Sequence, residues 1–199
     1  MNAMRVAYEQ RDAELRKTYN RSLPMQDALF DRWERAKSLG FGEGASIYNS
    51  ALVFGNVRVG AQTWIGPYVM LDGAGGGIEI GSPCSISTGV YIYTHDTIAW
   101  ALSGGQERPR FGAVKVGDCC YLGSQSIIAA GATIGNRCLI SANSFVNTDI
   151  PDGTIVGGTP ARRIGKVMLV SGRPILHFDN GKVSKITEPL EPRPNQLEK

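Results

Sequence analysis

Histidine is nearly absent from this chain of 199 residues: there are two, His95 and His177. A zinc site of three imidazoles therefore has too few ligands. No long apolar run exists, because glycine and charge break every stretch, so a membrane span is not expected. The first 19 residues mix acids and bases and lack the apolar core of a secretory signal, which places the expected location in the cytoplasm. A broad stripe of lysine and arginine is also missing. The net charge of +3 is divided as +1 over residues 1–44, −2 over 45–160 and +4 over 161–199. A basic tail on an acidic body suits a local anion site such as a phosphate-bearing ligand, not a nucleic-acid surface.

What the chain has in excess is glycine, 25 residues, nearly twice the average share of about 7%. The glycines accompany a repeat. Ile47, Val53, Val59, Ile65 and Leu71 recur every six residues. After a skip of nine come Ile80, Ile86 and Ile92, and after a longer skip Val116, Leu122, Ile128, Ile134, Ile140 and Val146. Glycine follows the aliphatic residue at 60, 66, 81, 117, 123 and 135. Four residues after the aliphatic position stands a small or β-branched residue, among them Ala51, Thr63, Cys84, Cys120, Ser126, Cys138 and Ser144. One six-residue unit makes a strand and a turn, three make a coil, and coils stack at strand spacing. A unit alone cannot bury its aliphatic residue; stacked coils can.

The repeat resembles that of the hexapeptide-repeat acyltransferases over residues 45–165. The fold class this implies is all-β dominated: a left-handed parallel β-helix, the hand coming from the resemblance. Around it, residues 1–44 read as a short helical segment, with Met4 to Arg21 and Pro24 to Ser38 helical and Ala28, Leu29, Trp33 and Ala36 on one apolar face. Residues 166–199 read as short strands (Val167 to Val170, Ile175 to Phe178, Val183 to Ile186) followed by a loose Pro- and Glu-rich tail.

Numbering the faces from Ile47, both interruptions leave from the second face, whose residues are 53, 71, 92, 128 and 146. One is three extra residues around Gly75 to Gly77; the other is 18 extra residues between Ile92 and Val116. The latter lacks the repeat and is expected as an extruded loop over about 97–114. His95, in Tyr93-Thr94-His95-Asp96, lies where these breaks converge. An imidazole there suits proton transfer near neutrality. The resemblance implies that His95 is the general base that removes a proton from the acceptor. Two candidates hold its tautomer, Asp96 and a backbone carbonyl. Trp100, Arg108 and Arg110 are loop candidates for contacting the acceptor or a neighbouring subunit. His177 is expected to be an ordinary strand residue.

The ending Val146-Asn147-Thr148-Asp149-Ile150-Pro151, then Val156-Gly157-Gly158-Thr159-Pro160-Ala161-Arg162-Arg163, resembles the family's terminal coil. It implies acetyl-CoA as co-substrate along the late coils, past Gly123, Ser124 and Ala142. Arg162, Arg163 and Lys166 are its phosphate candidates. Many relatives carry lysine where this chain has Thr148, so one cation is missing from that site. No metal is expected: Cys84, Cys120 and Cys138 share one inward column and Cys119 points away, a packing pattern and not a ligand set. The resemblance further implies a homotrimer with sites between subunits, and points to the galactoside, maltose and lipopolysaccharide O-acetyltransferase branch, hence a sugar or glycoconjugate hydroxyl in polysaccharide biosynthesis. The alternatives are N-acetylation of a nucleotide-linked amino sugar, and a non-catalytic β-helix scaffold.

Overall fold

The computed structural model describes residues 3–186. Its core is a stack of parallel strands whose partners sit one coil apart, so that three aliphatic columns run through the interior. Ile47, Ile65, Ile86, Leu122, Ile140 and Val156 form the first. Val53, Leu71, Ile92, Ile128 and Val146 form the second. Val59, Ile80, Val116 and Ile134 form the third, which a bridge to Ile150 extends. Every repeat position from Ile47 to Val146 is buried except Val53, which is partly buried and packs against the same core. The columns are those that the six-residue period predicts. An aliphatic side chain on one short strand reaches only a neighbouring coil, so burial here is a property of the stack.

Below the first coil lie three helices, α1 (Ala3–Tyr19), α2 (Met25–Leu29) and α3 (Arg32–Ser38). The helix expected over 24–38 is therefore two. Asp31 divides them, because its carboxylate takes the N–H groups of Trp33 and Glu34 and so starts a new helix. Trp33, expected on the apolar face, is half exposed and lies under the Arg32 guanidinium at 4.1 Å. Ala36 is buried and Arg35 donates to the carbonyls of Tyr48 and Ala51, which fastens α3 to the first turn of the coil. Gly42 lies so close to the next coil that a Cβ there would stand 2.4 Å from the Ala61 nitrogen.

At the other end the parallel stack closes on Thr154–Gly157. Strand Arg162–Val170 pairs with it antiparallel, then with Arg173–Phe178, which pairs with Val183–Lys185. The three tail strands were expected, but the first begins earlier and runs across the 165/166 boundary. Half-buried His177 pairs through its backbone with Lys166 and Val183, as an ordinary strand residue. The tail beyond Ile186 lies outside the described residues. Among the described residues no helix is long and apolar enough to cross a membrane.

The edge between the third and first faces is regular. There the Asp118 carboxylate accepts the Ser82 N–H, the Asn136 side chain accepts the Asp118 N–H, and the Asp152 carboxylate accepts the Asn136 N–H, at 2.7, 2.8 and 2.7 Å. Just inside it the thiols of Cys84, Cys120 and Cys138 are buried and donate to Gly117, Gly135 and Pro151 carbonyls at 3.2, 3.0 and 3.1 Å. Its thiol neighbours Cys138 and Cys84, together with burial, push Cys120 far up. This keeps that thiol protonated, as a packed donor.

Candidate active site

The edge between the second and third faces is where the coil is broken. Leu71 pairs with Ile92 and Asp72 with Tyr93, so the excursion that begins at Asp72 lies directly beneath the residues leading to His95. Thr94 is fully buried between the two coils. Its hydroxyl donates to the Asp72 carbonyl at 2.7 Å and accepts the Gly75 N–H at 2.8 Å. The glycines of the excursion allow bare backbone to press against the histidine: a Cβ on Gly75 would stand 2.4 Å from the Thr94 carbonyl oxygen and 2.7 Å from the His95 Cβ. On Gly76 it would stand 2.7 Å from the Ala113 nitrogen.

The expected loop over 97–114 is an ordered hairpin. His95–Asp96 pairs antiparallel with Arg110–Phe111, and a short helix α4 (Ile98–Leu102) occupies the tip. His95 is directly opposite Phe111, with ring centroids 6.2 Å apart. The imidazole is about one third exposed. Its Nδ1 is shut off from solvent and has no hydrogen-bond partner, whereas Nε2 is not shut away. The nearest carboxylate oxygen to Nδ1 is Oδ2 of Asp72, at 3.6 Å. This is just beyond hydrogen-bond reach. The other oxygen, Oδ1, accepts the Ala74 N–H at 3.2 Å.

Asp96 is not the group beside Nδ1. Its Oδ2 takes two bonds from Arg110, at 2.6 and 3.0 Å, and its Oδ1 accepts the Ile98 N–H at 3.1 Å. The Arg110 guanidinium, and after it the Ile98 N–H, hold this carboxyl below the usual carboxylate range, and the same pair pushes Arg110 up. Adjacent side chains on a strand point to opposite sides, which is why the residue next to His95 braces the hairpin instead. Arg110 is likewise committed to that brace and not free for an acceptor. Arg108 is exposed and has no hydrogen bond or ion pair among the described residues. Trp100 is half exposed on α4. The aromatic ring beside His95 is that of Phe111, not of Trp100.

The expected donor residues divide among edges. Gly123, Ser124 and Ala142 lie on the edge between the first and second faces. A Cβ on Gly123 would stand 2.5 Å from the Ala142 nitrogen, and the Ser124 carbonyl accepts the Asn143 N–H at 3.0 Å. Thr159 continues that edge, donating to the Asn143 carbonyl at 3.2 Å, and Arg162 follows opposite Gly157. Arg163 is paired with Asp179 at 3.2 Å. Lys166 is opposite Thr154, at the far end of the same strand pair, and so does not join Arg162. Thr148 is exposed, two residues past Val146, on the edge of His95. Sequence reasoning missed Asp72, Thr94 and Phe111. The skip of nine between Leu71 and Ile80 carried the signal for Asp72, since it opens at that residue.

Comparison with known proteins identifies the repeat. A bacterial transferase hexapeptide (six repeats) matches residues 113–148, and a hexapeptide repeat of succinyl-transferase matches residues 56–94. Protein CapG of Staphylococcus aureus is 37% identical over 91 residues, 45% of this chain and 53% of CapG. Carnitine operon protein CaiE of Escherichia coli is 30% identical over 132 residues, 62% of this chain and 65% of CaiE. WbbJ of Escherichia coli, provisionally named a lipopolysaccharide biosynthesis O-acetyl transferase, is 30% identical over 98 residues, 45% of this chain and 50% of WbbJ. The chain thus spans less than two thirds of the length of these curated relatives. Among solved structures, the hexapeptide-repeat containing-acetyltransferase VCA0836 of Vibrio cholerae superposes with a TM-score of 0.55 at 27% identity, covering 83% of this chain and 93% of that one. The N-acyltransferase AntD of Bacillus cereus, at 22% identity and a TM-score of 0.56 over 67% of this chain and 87% of its own, shares the fold. With three columns in the hexapeptide register and repeat models matched at residues 56–94 and 113–148, the coil is a hexapeptide-repeat coil similar to that of the acetyltransferases and acyltransferases named above.

Proposed function

We propose that the chain is an acetyl-CoA-dependent O-acetyltransferase acting on a hydroxyl of a sugar or glycoconjugate, with His95 as general base. The observation that carries this reading is the imidazole at the broken edge, with Nδ1 turned inward and Nε2 open. The acceptor hydroxyl gives its proton to Nε2 while its oxygen bonds to the thioester carbonyl carbon, whose π pair moves to the carbonyl oxygen. When that pair returns, the carbon–sulfur bond breaks. The imidazolium then gives its proton to the departing thiolate. Similarity to WbbJ, which is named for O-acetyl transfer, favours oxygen as the acceptor atom. Similarity to the acetyltransferase VCA0836 favours acetyl as the group moved.

The donor would lie along Gly123, Ser124 and Ala142, with Arg162 toward its phosphates. That edge and the edge of His95 flank the second face, which is about five residues wide, or roughly 16 Å at about 3.3 Å each. A single chain therefore keeps donor path and base apart. The outer row of that same face is apolar in register: Leu52, Met70, Tyr91, Ile127 and Phe145. The outer row of the third face is charged, with Glu79 between Arg58 and Lys115 at 3.2 and 4.0 Å. An apolar face bounded by two half-sites suits closure by neighbouring copies, and the homotrimer of left-handed coils is our reading of the assembly.

The test is release of CoA thiol from acetyl-CoA over a panel of sugar hydroxyl acceptors, with calorimetric titration of acetyl-CoA alongside. His95→Ala should abolish transfer, a loss on the order of 10²–10⁴-fold, and leave acetyl-CoA binding intact. Retained transfer overturns the base; absence of saturable acetyl-CoA binding by the folded protein overturns the donor.

A further inference from the structure

The proposed base has a neighbour that nothing so far assigns a role. We propose that Asp72 is the positioning residue for His95: its carboxylate holds the imidazole with the proton on Nδ1 and so leaves the Nε2 lone pair free. This rests on the reading of His95 as general base. Nδ1 is buried without a hydrogen-bond partner, and the nearest carboxylate oxygen, Asp72 Oδ2, is 3.6 Å away. A buried imidazole nitrogen without a partner is costly, and a small rotation of the ring closes the distance. The Asp72 side chain is 15% exposed, so water competes little for its charge.

The carboxylate is itself aimed. Oδ1 is tied to the Ala74 N–H and the Asp72 carbonyl to the Thr94 hydroxyl, so Oδ2 is the oxygen left facing His95. The first tie comes from the three-residue excursion after Leu71, which lets the chain turn back on Asp72 before it resumes the third face, and the second comes from the next coil, through Thr94. Phe111 covers the ring from the opposite strand. The other charged groups near the imidazole, Asp96 and Arg110, neutralise each other.

The anchoring sets the consequence of a single-atom change. In Asp72→Asn the amide oxygen keeps the Ala74 N–H, so the NH₂ group must face Nδ1. Nδ1 then becomes an acceptor and the proton moves to Nε2, the tautomer that cannot serve as base. With two histidines in the chain, ¹⁵N-labelled protein above the imidazole titration resolves both rings, and His177→Gln assigns them. The expected result is Nδ1–H for His95 in the wild type and Nε2–H in Asp72→Asn. Transfer falls by on the order of 10²-fold or more, with KM for acetyl-CoA unchanged. Asp72→Ser, should the amide variant misfold, is expected to lose the dominance of the Nδ1–H form.

An unchanged tautomer in these variants overturns the proposal. The measurement needs neither acetyl-CoA nor acceptor. Its failure is therefore separate from failure of the base reading, which the His95→Ala transfer assay decides. Asp96→Asn serves as control and should leave the His95 tautomer as it is.

Discussion

Two edges of one coil, a third of a turn apart, are made from the same six-residue unit and do opposite things with it. Between the third and first faces no residue is added after Gly81, Gly117 or Gly135, and each turn stacks on the next. There the polar side chains of Asp118, Asn136 and Asp152 face backbone N–H groups one coil below, and the thiols inside face carbonyls one coil above. These side chains thus meet counterparts in the stack. Between the second and third faces the turn is lengthened twice, and the surplus chain folds over itself. It buries Thr94, turns Asp72 under His95 and raises the hairpin that ends at Phe111. Regular stacking supplies rigidity, and departure from it supplies side chains that the repeat alone would never place together.

That contrast can be broken at several strengths. The largest stability effect belongs to the interior that both edges share. Leu122 is fully buried in the first column. Leu122→Ala should cost about 3 kcal/mol in urea unfolding, because the coils above and below cannot close the cavity. A change well under 1 kcal/mol would mean that the stack is more compliant than its packing implies.

Gly75→Ala should separate activity from stability. The added methyl meets backbone at the Thr94 oxygen, which cannot swing aside, and the His95 Cβ. We expect transfer to fall by about tenfold or more, because a displacement near 1 Å of a reacting group is enough to do so. Stability should fall by only about 1–2 kcal/mol. Equal activity in the two proteins would detach the excursion from the chemistry.

On the regular edge, Asp118→Ala removes the acceptor for the Ser82 N–H. The expected cost is about 1 kcal/mol in thermal or urea unfolding, with transfer unchanged. A loss of transfer there would show that the two edges are coupled.

The smallest effect is one of pH. The Asp96 carboxyl is held low by Arg110 and the Ile98 N–H. Its folded-state value lies below the unfolded one, so its contribution is complete above the ordinary carboxylate value, near 4. It is lost as pH falls through the depressed value. Amide protection across residues 95–111, relative to the intrinsic exchange rate at each pH, should therefore fall on acidification below about pH 4, and Asp96→Asn should show that lower protection already at neutral pH. The same exchange in both proteins at neutral pH would remove Asp96 as the brace of the hairpin.

How far the molecule was legible before its structure varies with the kind of information. The columns were readable because a residue at each aliphatic position has one place to go: the interior of a stack with a fixed step. The thiol column followed from the same count. The converging interruptions, and His95 at them, were readable as departures from the period. Asp96, one of two candidates beside His95, is adjacent in sequence but not in space, because alternation along a strand sends neighbours apart. Lys166 misled for a related reason. Four residues of extended chain carry it from one edge of the coil to another, away from Arg162. Trp33 followed helical spacing onto a face that has no helix continuing through Asp31.

The linear pattern of residues specifies the scaffold: the six-residue period, the three buried columns, the two breaks on one edge and the histidine between them. These depend on local periodicity, which a linear chain displays in full. Which groups meet across coils depends instead on the folded chain. Asp72 reaches His95 from 23 positions earlier in the chain, and Arg110 takes Asp96 from across the hairpin. The row of Gly123, Ser124 and Ala142 and the side chain of His95 stand on opposite edges of the apolar second face. Such meetings depend on how surplus residues turn between stacked coils, and no periodicity encodes them, because they arise where the period stops.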